Sequence, residues 1–207
     1  MEGSLRTSIL TSSMDRHGFL LRSNRAIMTN KESEMAAAPV FVTVEEYLRS
    51  SFSPDAEYID GQIVERKNTM GENDHSAWQK AIVVWFESQA VRAGIRVRPE
   101  LRVQVNTFMF LIPDVTLLDR QRPVEPFATH PPIAVFEVLS RGDSLKELME
   151  KGAHYEKMGI RTILVIDPDG PAYRFRDAKL EPLAERRFTL EGSQALFDLD
   201  EIGKLVD

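Results

Sequence analysis

The sequence predicts an α/β (α+β) fold, a mixed central β-sheet flanked by helices, and three patterns lead there. In the middle of the 207-residue chain, the apolar run 133–139 precedes a helical pattern that reaches about Met158, and a second apolar run, 163–166, follows it. Strand, helix and strand in that order form a unit of a helix-covered sheet. Upstream, residues 56–64 read as two strands around an Asp60-Gly61 turn, the signature of an antiparallel hairpin. No internal repeat is evident, so one core is expected.

Each element has a local cause. Thr43-Val44-Glu45-Glu46 is a capping box that starts a short helix to about Ser51. Asn73 or Asp74 can cap a helix to about Ala93, with Trp78, Ile82, Trp85, Phe86 and Gln89 along one face and Gly94 ending it. Residues 96–105 and 108–118 read as two strands joined at Asn106-Thr107, and a proline-rich loop, 119–132, leads to the strand at 133–139. Residues 140–143 cap the next helix, and Gly159 stops it. Pro168-Asp169-Gly170 turns the chain into 172–176, and short strands with a final helical segment finish it. Residues 1–38 are rich in Ser, Thr, Asn and Arg without hydrophobic periodicity and are expected to be a disordered tail, which leaves 39–207 as the globular domain.

Composition narrows the chemistry. With no cysteine, a disulfide scaffold, a thiolate zinc site and a cysteine nucleophile are excluded, and a reducing cytoplasm is the compartment expected. The four histidines, His17, His75, His130 and His154, form no HExxH pattern, which argues against a histidine-based zinc hydrolase. The longest apolar run, 81–86, is too short to span a bilayer, so no membrane partner is expected. A net charge of −6 speaks against coating nucleic acid through the overall field but leaves room for a local basic groove.

Two carboxylates stand where packing alone would not put them. Asp114 follows Pro113, whose missing N–H favours a strand edge or bulge, and Glu137 interrupts the apolar run that carries Phe136 and Val138. A buried acid costs several kcal/mol unless cations or donors compensate, about the scale of whole-protein stability. Two such acids from neighbouring strands point to a divalent ion held by oxygen ligands, Mg²⁺ or Mn²⁺. Asp114 could otherwise simply meet solvent, but Glu137 is hard to explain as surface.

The ordered segments AEYIDGQIVE, RVQVN, IPDVTLLD, PPIAVFEVLS, the lysine and tyrosine of KGAHY, and MGIRTILVIDPDG resemble the Uma-two family. That family lies within the restriction-endonuclease-like PD-(D/E)XK superfamily, and the likeness covers about residues 43–205. It implies a restriction-endonuclease-like core and a metal-dependent endonuclease acting on DNA. Asp114 becomes the motif aspartate and Glu137 the motif glutamate, together the metal ligands. Glu57 matches the glutamate of the family's turn motif, Gln104 lies in the strand before Pro-Asp, and His75 opens the helix that runs to about Ala93, as a histidine does in the family.

Two departures qualify the resemblance. The superfamily's lysine two residues after the glutamate would fall at Leu139, and a lysine on the next helix, Lys151, takes its place. On the helical wheel Leu145, Leu148, Met149 and Gly152 form the core stripe, with Tyr155 at its margin, beside Lys151 and orienting it. Without the resemblance, Lys151 would read as a solvated partner of Glu147. The family's usual Ser-Pro-Ser is here Ser140-Arg141-Gly142, and Arg141 is a candidate phosphate contact. That loss favours the rival expectation, an inactive nucleic-acid-binding or assembly module of the same fold. Arg92, Arg96, Arg98 and Arg102 read equally well as a phosphate groove or a solvated rim. A homodimer stays open.

Overall fold

The computed structural model describes residues 41–53, 55–66 and 73–206, so the expected tail lies outside the described residues. After helix α1 (Val44–Arg49), whose Thr43–Glu46 capping box forms as expected, the hairpin β1 (Ala56–Ile59) and β2 (Gln62–Glu65) turns at Asp60 and Gly61. Both turn residues have positive φ, 48° and 89°, the conformation of a tight hairpin that glycine adopts without steric cost. Helix α2 (Asn73–Glu87) is followed by a separate short helix α3 (Ala90–Ala93), where the sequence predicts one continuous helix. At the break the Gln89 N–H bonds the Phe86 carbonyl three residues back, and its buried side chain bonds the main chain of Leu196 as both donor and acceptor.

The two long strands predicted at 96–105 and 108–118 are each two strands in different sheets. They are β3 (Ile95–Pro99) and β4 (Val103–Asn106), then β5 (Met109–Leu111) and β6 (Val115–Asp119). Glu100 has a φ of 50°, and Ile112-Pro113-Asp114 interrupts the second run, so the chain changes sheet twice. Strand β7 (Ala134–Val138) then leads to α4 (Leu145–Met158), capped by Ser144 rather than by residues 140–143, and β8 (Thr162–Ile166) follows. The chain ends with β9 (Ala172–Arg176), β10 (Lys179–Pro182), β11 (Arg187–Thr189), β12 (Leu196–Asp198) and α5 (Leu199–Gly203).

A six-stranded mixed sheet runs β10-β9-β8-β7-β6-β3, with β7 and β8 its parallel pair, and an antiparallel sheet runs β2-β1-β5-β4. The central sheet is buried on both sides. Ala134, Phe136 and Val138 share one cluster with Ile82 and Phe86 of α2, while Val135 shares another with Tyr155 of α4 and with Met109 and Leu111 of β5. Alternating residues of β7 therefore face different layers. Gly152 brings α4 against β9, because a Cβ there would lie 2.5 Å from the Phe175 ring. No helix among the described residues is long and apolar enough to cross a membrane.

Candidate active site

The change of sheet at Asp114 and the crossover from β7 to α4 open a cleft of about 340 Å³. Its polar floor comes from four elements: Glu57 on β1, Asp114 before β6, Glu137 near the end of β7 and Lys151 on α4. The three acids are buried, with 3–7% of each residue exposed, so each requires partners.

Asp114 is held on both oxygens. Its Oδ1 accepts from the Arg66 guanidinium at 2.5 Å; its Oδ2 accepts from the Val138 N–H at 2.7 Å and lies 3.2 Å from His75 Nε2. Burial pushes the Asp114 carboxyl upward, but the His75 hydrogen bond and the charges of His75 and Arg66 outweigh it and hold the group below the usual carboxylate range. His75 is raised by the same hydrogen bond.

Glu137 sits in the opposite regime. Burial raises its carboxyl to about 7, helped by Asp114 and Glu57 and opposed by Lys151 and by the Tyr155 hydroxyl, which donates to Oε1 at 2.7 Å. Neighbouring acids whose environments push their protonation apart are a common mark of a working site. Lys151 Nζ meets Glu57 Oε1 at 2.8 Å, and Glu57 also accepts the Ile112 N–H at 3.0 Å. Burial alone would lower the Lys151 ammonium, but Glu137 and Glu57 raise it, so it stays charged. A quarter of its side chain remains exposed toward the cleft.

The expected site residues thus divide. Asp114, Glu137, Lys151, Glu57 and His75 line one cleft. Lys151 pairs with Glu57 across the fold, which replaces the solvated helix-face alternative. Tyr155 lies beneath them, fully buried rather than at the margin, and Leu145 of the expected core stripe is 65% exposed. Gln104 and Arg141 are not among the cleft-lining residues; Gln104 sits in β4, where its N–H bonds Ala128, and Arg141 is exposed. Trp78 and Trp85 pack against the core. Arg96 spends its guanidinium on the carbonyls of Asp119, Arg120 and Arg122, away from the cleft.

Arg66, which lines the cleft and pairs with Asp114, is a residue that sequence reasoning misses. Two signals could have found it: a buried aspartate demands a cation, and the hairpin register extends β2 to Glu65, opposite Ala56, which leaves Arg66 at its end.

Among the described residues, no group of three or more His, Asp or Glu side chains is placed to hold a metal. This does not exclude Mg²⁺ by geometry, because that ion is commonly held by one or two carboxylates, with water and phosphate oxygens completing its shell. Asp114 and Glu137 both line the cleft, and their carboxylates are the hard-oxygen groups that such an ion would use.

Residues 44–188 match the Uma2 family, described as "Putative restriction endonuclease". The chain belongs to that family. Among solved structures, it is similar to "a putative nuclease belonging to DUF820 from Anabaena variabilis ATCC 29413", with a TM-score of 0.67 and 22% identity over 80% of this chain and 99% of that one. That likeness shows the fold, and the restriction-endonuclease-like core expected from the sequence is the one found. A weaker match, TM-score 0.36 at 18% identity, is to a DrdV–DNA complex seen by electron cryo-microscopy, covering 63% of this chain and 11% of that one. No curated protein matches.

Proposed function

We propose that this Uma2-family chain is a divalent-metal-dependent endonuclease that hydrolyses DNA phosphodiester bonds. The observation that carries the reading is the convergence of Glu57, Asp114, Glu137 and Lys151, from four separate elements, on one cleft. Core packing does not need three buried acids there.

Asp114 and Glu137 would hold Mg²⁺ or Mn²⁺. Bound there, such an ion lowers the pKa of a water ligand and neutralises charge on the phosphate. The Val138 N–H fixes one oxygen of Asp114, and the Tyr155 hydroxyl orients Glu137. Glu57 holds Lys151 so that its ammonium faces the cleft, where it can stabilise the attacking hydroxide or the negative charge that grows on the scissile phosphate. In the overall reaction a water oxygen bonds to phosphorus, the phosphorus–oxygen bond to one sugar breaks, and a proton passes to the departing oxygen.

Single-turnover cleavage of supercoiled plasmid tests this reading. Wild type should nick with Mg²⁺ or Mn²⁺ and stop with a chelator. Lys151→Met should slow the step about a hundredfold or more while retaining DNA binding. Because that variant strands Glu57, its melting is measured alongside, and Lys151→Arg keeps the charge but should rescue the rate poorly, a planar fork being a poor substitute for a compact ammonium. Equal rates for wild type and folded Lys151→Met would remove the lysine from the mechanism. DNA binding without any cleavage by wild type would instead favour the inactive binding module.

A further inference from the structure

Asp114 has two oxygens in unequal situations. Oδ2 is committed to the fold, through the Val138 N–H and His75, and both contacts come from elements that form the cleft wall. Oδ1 is the one left for a ligand, and the guanidinium of Arg66 stands on it at 2.5 Å. Only 14% of the Arg66 side chain is exposed, so its charge is poorly screened by solvent. The same guanidinium has a second partner: its Nη1 pairs at 2.9 Å with Glu100, whose side chain is half exposed.

We propose that Arg66 and a divalent cation compete for Asp114, which makes Arg66 the residue that sets the metal affinity of the cleft. The inference rests on the metal-dependent reading above. A cation sharing Oδ1 would face a guanidinium within hydrogen-bond reach of the same atom, and like charges at that range in a shielded site repel strongly. Arg66 can give way without losing all compensation, because Glu100 already holds its other nitrogen. Without the cation, Arg66 keeps a buried carboxylate paired; with it, Arg66 rests on Glu100, beside the cleft. Arg66 is thus a positioning residue acting through Asp114.

The test is Mn²⁺ binding by titration calorimetry to the full chain, with melting in chelator and in Mn²⁺ as a second readout. Arg66→Gln should bind Mn²⁺ about tenfold or more tightly than wild type. It should melt lower in chelator and gain more on adding Mn²⁺. Glu100→Gln should move affinity the other way, since Arg66 loses its alternative partner. Both measurements are repeated at about 1 M salt, where the Debye length is ~3 Å. Direct competition keeps the Arg66→Gln advantage there; an advantage that vanishes would be only a long-range field and would overturn the proposal. Should Arg66→Gln not fold, the half-exposed Glu100→Gln decides: a Mn²⁺ affinity equal to or above wild type would overturn the proposal. If wild type binds Mn²⁺ and folded Arg66→Gln binds it no better, competition fails while the metal site stands. If neither binds and neither melts higher with Mn²⁺, the metal reading fails first and the competition with it.

Discussion

On β7, Phe136 and Glu137 are neighbours in sequence, and both are buried, yet they face different layers of the molecule. Phe136 points at α2 and β12, whose Phe86 and Phe197 rings lie 5.2 and 6.1 Å from it. Glu137 points at α4, where it meets Tyr155 and the field of Lys151. One face is held by area removed from water, the other by an arrangement of charges and donors that costs stability unless every partner is present. The period of two that builds the strand thus separates a face that stabilises the fold from one suited to chemistry.

The largest expected effect on stability is on the apolar face. Phe136→Ala removes a fully buried ring from between two others and should cost about 3–5 kcal/mol, read as a lowered denaturant midpoint. On the polar face, Glu137→Gln should leave the metal-free protein folded while abolishing metal-dependent nicking. If the two substitutions destabilise alike, the separation between the faces is wrong.

How stability varies with pH sharpens the contrast. Glu137 is raised from 4.5 to about 7 by burial. A raised carboxyl favours the folded state fully below its unfolded value, and that contribution is lost as pH climbs through the folded value. In chelator, wild type should therefore lose stability between about pH 4.5 and 7, and Glu137→Gln should lack that slope. Above pH 7 the variant should be the more stable, by up to roughly 3 kcal/mol if the whole shift is expressed. Asp114 has the opposite sign: it is lowered, so its contribution is present above the ordinary aspartate range and lost as pH falls. Asp114→Ala should accordingly destabilise, because it strands Arg66 and the Val138 N–H. Parallel pH profiles for wild type and Glu137→Gln would refute the raised carboxyl.

Much of this was legible in the residues. The Asp60-Gly61 turn, the Thr43–Glu46 box and the Gly159 stop each have a local cause, and each forms as read. Glu137 stood out because an acid inside an apolar run has few explanations. What escaped was non-local. The split of the runs 96–105 and 108–118 between two sheets depends on which strands they meet, and a strand pattern is the same in either sheet. The placement of Tyr155 beneath Glu137 depends on the close approach of α4 at Gly152, which a helical wheel cannot register. Arg66 escaped because its partner lies 48 residues away.

The smallest effect tests how finely the polar face is set. Tyr155→Phe keeps the buried ring and its packing and removes only the hydroxyl that donates to Glu137 Oε1. That hydrogen bond favours the ionised carboxylate, so its loss should raise the Glu137 pKa further and cost about 1–3 kcal/mol at alkaline pH, where the group is charged. At pH 5, where Glu137 is largely protonated in either protein, the cost should shrink. The rising limb of the pH–rate profile for nicking should move to higher pH by the same shift, with the rate nearly recovered once Glu137 ionises. A purely structural tyrosine would lower stability equally at all pH and leave the profile in place. Chelator melts at pH 5 and pH 8, with nicking rates across the same range, therefore decide whether Tyr155 tunes Glu137 or merely fills space below it.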